Sequence, residues 1–166
     1  MNKNSKLRSD YQDMSSELEI QLTCFSLGKN LYAIDIMRIK EIVLPQKLFS
    51  LPRPSILLEG VINLRGVVIP LMDMRKRFGL IPLNDENSGK LLVVSLARQL
   101  LALAVDDVME VISVPAKEIM PPPDIADGIG AEFLLGVCLY GDRVFMLLDI
   151  DSLLGPAEYR EIAHIS

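Results

Sequence analysis

Apolar residues along this chain arrive in short runs, and polar or turn-forming residues separate them. The runs read "LEIQLTCFSLG", "KNLYAIDI", "IKEIVLP", "GVINL", "VVIPLMD", "LLVVSLA", "LLALAV", "VMEVISVP", "FLLGVCLY" and "RVFMLLD". Their length, and the Gly, Asn, Asp and Pro between them, predict an all-β protein. Several runs are apolar at consecutive positions instead of alternating, which predicts strands covered on both faces. Two segments, "DMRKRFG" and "DIDSLLG", open with Asp and close with Gly. Asp suits a helix N-cap and Gly a left-handed helix end, so both are expected to be short helices.

The pattern repeats. Gly60–Gly79 laid on Gly136–Gly155, an offset of 136 − 60 = 76, matches without gaps at Gly60/Gly136, Val61/Val137, Val68/Val144, Leu71/Leu147, Asp73/Asp149 and Gly79/Gly155. Those six identities in twenty positions compare with about one expected from average composition. Upstream, "IKEIV" (Ile39–Val43) matches "VMEVI" (Val108–Ile112) at an offset of 69, and Pro45 and Lys47 match Pro115 and Lys117 at 70. A unit of about five strands done twice predicts two small β-barrels side by side, with a short helix after each repeated hairpin. The first barrel is expected at about 17–88 and the second at about 89–155, with room for strands to exchange between them. Residues 1–16 read as a flexible polar tail, and 156–166 as a C-terminal tail or short helix.

Arg65-Gly66 falls between "GVINL" and "VVIPL", at the tip of an expected hairpin, where Gly66 supplies a positive φ. The second copy has Gly141 and Asp142 at the same two positions, again a turn pair. Arg65 has no counterpart there. The turn belongs to both copies, and the arginine to the first.

Charge and composition narrow the function. A net charge of −5 argues against nucleic acid, whose phosphates call for a basic surface. The basic run Arg75-Lys76-Arg77 reads as a solvated helix face. Cys24 and Cys138 lie in apolar runs and read as packing thiols of a reducing compartment. The polar N-terminus is not a signal peptide, and no apolar run approaches the ~18 residues that span a bilayer, so the expected location is the cytoplasm.

No catalytic set emerges. His164, the one histidine, stands near the chain end without an orienting partner. "GIGAEF" lacks the third Gly of a phosphate loop. Asp106, Asp107 and Glu110 read as a solvated turn and strand edge, and Asp149 and Asp151 keep calcium-loop spacing for one step only. The expectation is a protein that is not an enzyme, with no cofactor and no metal.

The residues of "GVINLRGVVIPLMDMRKRFGL" resemble the signature of the CheW-like chemotaxis coupling proteins, through Asn63, Leu64, Arg65 and Gly66, then Pro70, Asp73 and Arg75–Phe78. The resemblance extends from about residue 18 to 155. It implies two SH3-like five-stranded barrels packed on a shared apolar core. It also implies an adaptor that couples the cytoplasmic tip of chemoreceptors to the regulatory domain of a chemotaxis histidine kinase, recruited to receptor arrays at the inner face of the membrane. Partner-facing residues would fall on Ile39, Glu41, Gly60, Asn63, Arg65, Leu91 and Val111. The same scaffold serving pilus-based surface motility or another receptor–kinase pathway, or a small-ligand sensor, are the alternatives.

Overall fold

Strands buried on both faces need a layer on each side, and the computed structural model provides two sheets that share one core. It describes residues 18–53, 55–82, 88–97, 99–122 and 131–163. The tail expected at 1–16 lies outside them. The strands are β1 (Glu19–Leu27), β2 (Asn30–Asp35), β3 (Ile39–Val43), β4 (Leu58–Leu64), β5 (Val67–Asp73), β6 (Lys90–Ser95), β7 (Leu100–Val105), β8 (Asp107–Pro115), β9 (Leu134–Tyr140) and β10 (Arg143–Leu148). Helix α1 spans Met74–Arg77 and α2 spans Pro156–Ala163. Asp73 caps α1 by accepting from the Arg75 N–H at 2.9 Å, and Gly79 takes a φ of 73° just beyond it. The second Asp–Gly segment is tighter, a 3-10 turn at Ile150–Ser152 that Asp149 does not cap with its side chain.

Sheet I has the strand order β8-β1-β2-β10-β9 and sheet II the order β3-β6-β7-β5-β4. The orders correspond strand for strand under the repeat, and the chain divides between them reciprocally. Sheet I joins the β1–β2 hairpin of the first copy to β8, β9 and β10 of the second. Sheet II joins the β6–β7 hairpin of the second copy to β3, β4 and β5 of the first. A boundary at 88/89 therefore does not separate the sheets. The physical reason lies in the parallel contacts: β2 runs beside β10 and β7 beside β5, so each hairpin completes the other copy's sheet.

Each sheet has the form of an SH3-like barrel whose hydrogen-bond ladder does not close. In sheet II the segment after β3 spans the gap: Phe49 and Val61 exchange two backbone hydrogen bonds of 2.8 Å. Met120 and Val137 do the same in sheet I, at 2.8 and 2.9 Å.

Alternation along each strand sorts side chains between interiors. Leu22, Cys24 and Ala33 point into sheet I, beside Ile112, Cys138 and Phe145. Leu91, Val93 and Ala102 point into sheet II, beside Ile62 and Ile69. The intervening positions, Phe25, Tyr32, Ile34, Leu92, Val94, Leu101 and Leu103, meet in the core between the sheets with Phe78, Phe133 and Leu153. Period-two alternation between two apolar layers is what produces consecutive buried residues. Within the shared core Tyr32 stacks on Phe25 and on Phe78, with ring centroids 5.8 and 5.1 Å apart, and Phe78 meets Phe133 edge-on.

Candidate partner interface

The Asn63–Gly66 turn is built from side-chain chemistry as well as backbone. Asn63 Oδ1 accepts from the Gly66 N–H at 2.8 Å, an arrangement short polar side chains favour at turns. Arg65 has a φ of 50° and Gly66 a φ of 87°. Two successive left-handed residues suit the twist of a two-residue hairpin. Among the described residues Arg65 is the one non-glycine with positive φ. Left-handed backbone costs a side-chain-bearing residue roughly 1–2 kcal/mol, and such strain concentrates at functional sites.

The Arg65 guanidinium reaches across the barrel mouth to Glu41 on β3. Its Nη1 donates to Glu41 Oε1 at 3.0 Å, and Nη2 donates to Oε2. Hydrogen bonding from Arg65 holds the Glu41 carboxyl below the usual carboxylate range, and Glu41 raises Arg65 in turn. Since β3 and β4 are opposite edges of sheet II, this forked pair ties its two ends together. The Arg65 side chain is still 71% exposed, so most of its surface is available to a partner. Apolar side chains lie next to the pair in the chain: on β3 Ile42 is 45% exposed, and on β5 Val67 is 51% and Val68 49% exposed.

The other expected site residues fall in three settings. Ile39 is half-buried at the start of β3 and packs against the shared core. Gly60 and Leu91 are buried. A Cβ at Gly60 would come within 2.3 Å of the Phe49 carbonyl oxygen, so glycine there permits the bridge that spans the open side of sheet II. Leu91 points into the sheet II interior and is 5% exposed. Val111 is exposed on β8, an edge strand of sheet I, apart from the others. The structure thus brings Glu41, Asn63 and Arg65 together at one rim, with Ile39 on the same strand as Glu41.

Three features went unread in the sequence. The second copy has its own rim pair, Arg143 with Glu110, and Glu110 is the repeat counterpart of Glu41. The arginine has moved two places, from the turn to the first residue of β10. The run Arg75-Lys76-Arg77 is not merely solvated: Arg75 pairs with Asp106, Lys76 with Glu59 at 2.7 Å, and Arg77 stacks over Phe133 at 4.5 Å. Asp106 likewise is a partner to Arg75 and not a free turn residue. Charge alternation carries no mark of a partner distant in sequence, so only the glutamates, repeated at an offset of 69, offered a signal.

Comparison with known proteins bears on the same region. A family model described as the CheW-like domain matches residues 21–158. The chain belongs to the CheW-like family. It is 34% identical over 151 residues to a chemotaxis protein CheW of Treponema pallidum, covering 89% of each chain. It is 30% identical over 142 residues to a chemotaxis protein CheW of Klebsiella aerogenes, covering 86% of each. The crystal structure of the scaffolding protein TtCheW from Thermoanaerobacter tengcongensis superposes with a TM-score of 0.75 at 31% identity, over 82% of this chain and 92% of that one. Chemotaxis scaffolding is thus the role of the family to which this CheW-like chain belongs. Among the described residues no helix is long and apolar enough to cross a membrane.

Proposed function

We propose that this chain is a non-enzymatic adaptor that couples the cytoplasmic tip of chemoreceptors to the regulatory domain of a chemotaxis histidine kinase. The observation that carries the reading is the β4–β5 tip, where a charged, mostly exposed side chain is held in a strained backbone conformation on a rigid barrel. Binding groups are commonly displayed on turns of rigid scaffolds. Ile42, Val67 and Val68 offer apolar area for one face of a receptor helix or a kinase strand. Arg65 and Glu41 give that surface orientation and charge selectivity. In this reading Asn63 fixes the turn at the rim, Ile39 and Gly60 support it from within, Leu91 acts through the core beneath it, and Val111 belongs to a second contact on sheet I.

Co-sedimentation tests the proposal. Receptor-containing membranes incubated with kinase and this chain are expected to pellet all three, and the kinase to become receptor-regulated only when the chain is present. Arg65→Glu is expected to leave the chain in the supernatant, since reversing a rim charge turns attraction into repulsion. Kinase regulation that is the same with and without the chain would refute the adaptor reading.

A further inference from the structure

The reciprocal exchange of hairpins poses a question that apolar patterning cannot answer. The β1–β2 and β6–β7 hairpins carry the same burial sequence: Leu22–Phe25 and Leu91–Val94 are each four buried residues in a row, and Tyr32–Ile34 and Leu101–Leu103 three. By shape and hydrophobicity either hairpin fits either sheet. An unexchanged chain, with β2 beside β5 and β7 beside β10, would bury the same kinds of side chain.

The chain crosses between sheets twice, and each crossing is held by an ion pair. Between β2 and β3, Arg38 grips Asp151, with Nη2–Oδ1 at 2.6 Å and Nη1–Oδ2 at 3.0 Å, while its Nε and Nη2 donate to the Ser95 carbonyl at 3.0 and 2.9 Å. Between β7 and β8, Asp106 grips Arg75, with Nε–Oδ1 at 2.6 Å and Nη2–Oδ2 at 2.5 Å. Asp106 Oδ2 also accepts from the Gly28 N–H at 2.7 Å, and the Asp106 N–H donates to the Ser26 carbonyl at 3.1 Å. Arg75 and Asp151 are repeat counterparts, since 151 − 75 = 76, and so are Ser26 and Ser95, since 95 − 26 = 69. Arg38 and Asp106 stand within one residue of equivalence. The two clasps are thus one device built twice with its charges inverted.

We propose that this inversion selects the exchanged topology. In the observed fold both crossings pair opposite charges. In the unexchanged fold the repeat would set Arg38 against Arg75 and Asp106 against Asp151, so both clasps would juxtapose like charges. Groups that stabilise one arrangement and repel in its nearest competitor specify a fold even where their net attraction is small.

Exchanging residues 75 and 151 tests this. R75D/D151R keeps composition and net charge, leaves Arg38, Asp106 and their main-chain partners in place, and moves the complementarity to the unexchanged fold. R75N/D151N removes both clasps without bias. After dilute refolding, NMR contacts between Ala33 and Leu147, neighbours across β2 and β10, report the observed topology. Contacts between Ala33 and Leu71 report the other. The wild type is expected to show only the first, R75N/D151N to show both because nothing then biases the choice, and R75D/D151R to show the second in more chains than R75N/D151N does. R75D/D151R showing the first contact alone would overturn the proposal. If R75D/D151R does not fold, R38D/R75D/D106R/D151R decides, because it restores opposite charges at both crossings. Recovery of the Ala33–Leu147 contact supports the proposal, and failure to recover it overturns the proposal.

Discussion

The two hairpin tips solve one structural problem in different ways. Each barrel mouth is bridged by an arginine from the hairpin and a glutamate from the facing strand: Arg65 with Glu41 in sheet II, Arg143 with Glu110 in sheet I. In sheet I the arginine sits on β10 itself, its side chain 34% exposed, and Gly141 takes the positive φ of 64°. In sheet II the arginine occupies the turn, accepts left-handed backbone and is 71% exposed. The second tip demonstrates that the fold can have its bridge without strain. What Arg65 gains by its position is exposure, which the proposed partner contact would use and the barrel bridge does not need. That contrast is the main reason for assigning Arg65 to binding.

The largest effects are expected at what the copies share. Gly60 and Gly136 each let a connecting segment bridge onto an edge strand, with a Cβ falling 2.3 Å from the Phe49 oxygen and 2.6 Å from the Met120 oxygen. Gly60→Ala and Gly136→Ala are each expected to cost about 2–3 kcal/mol by urea unfolding, as for overpacked sites where backbone must move. Tolerance of alanine at one glycine alone would mean that the two barrels are held open and shut by different means.

The clasps offer a smaller test. The Arg75–Asp106 pair is better covered than Arg38–Asp151, with side chains 19% and 17% exposed against 33% and 55%. Asp106→Asn is expected to cost about 1.5–3 kcal/mol at neutral pH, the range of a hydrogen bond to a charged group, and Asp151→Asn less. Hydrogen bonding from Arg75 holds Asp106 below the ordinary aspartate range. Its contribution is therefore present above the unfolded-state pKa of about 4 and is lost as pH falls through the lower folded value. The stability gap between wild type and Asp106→Asn should close in acid. A gap that persists there would assign the effect to packing.

The barrel interiors differ in a way that can be read chemically. Cys24 and Cys138 both lie inside sheet I, and sheet II has no thiol among its described core residues. Burial pushes the Cys24 thiol up to about 12 and raises Cys138 as well. Neither should react with an aromatic disulfide reagent at pH 8 until the protein unfolds, since the thiolate is the nucleophile. Rapid native labelling would show that sheet I opens independently of sheet II.

Much of this was legible from the chain, and the rest was hidden for physical reasons. Consecutive apolar residues announced strands covered on both faces, and the repeat announced two equivalent barrels. The Asn63–Gly66 turn was readable because turn chemistry is local. The two copies leave room for exchange, but which strands change places was not legible, because Leu22–Phe25 and Leu91–Val94 present the same pattern to either sheet. Leu91, which the family resemblance puts toward a partner, lies inside sheet II; on a doubly buried strand, hydrophobicity does not say which interior a residue faces. The role of Gly60 depends on Phe49, in a segment without periodicity. The ion pairs join strands far apart in sequence, and a charge alone does not name its partner.

If Arg65 is held in a strained turn for binding and not for stability, losing its side chain should spare the fold and weaken coupling. Arg65→Gly tests it most directly, because glycine accepts the left-handed backbone and removes only the side chain. Thermal melts and a reconstituted receptor–kinase assay on one preparation give both readings, with Arg143→Ala alongside. Arg65→Gly is predicted to melt within about 3 °C of wild type while receptor-dependent kinase activation falls at least about tenfold. Arg143→Ala is predicted to couple nearly normally. A loss of fold in Arg65→Gly would make the arginine a structural prop, and normal activation by a well-folded Arg65→Gly would remove it from the interface.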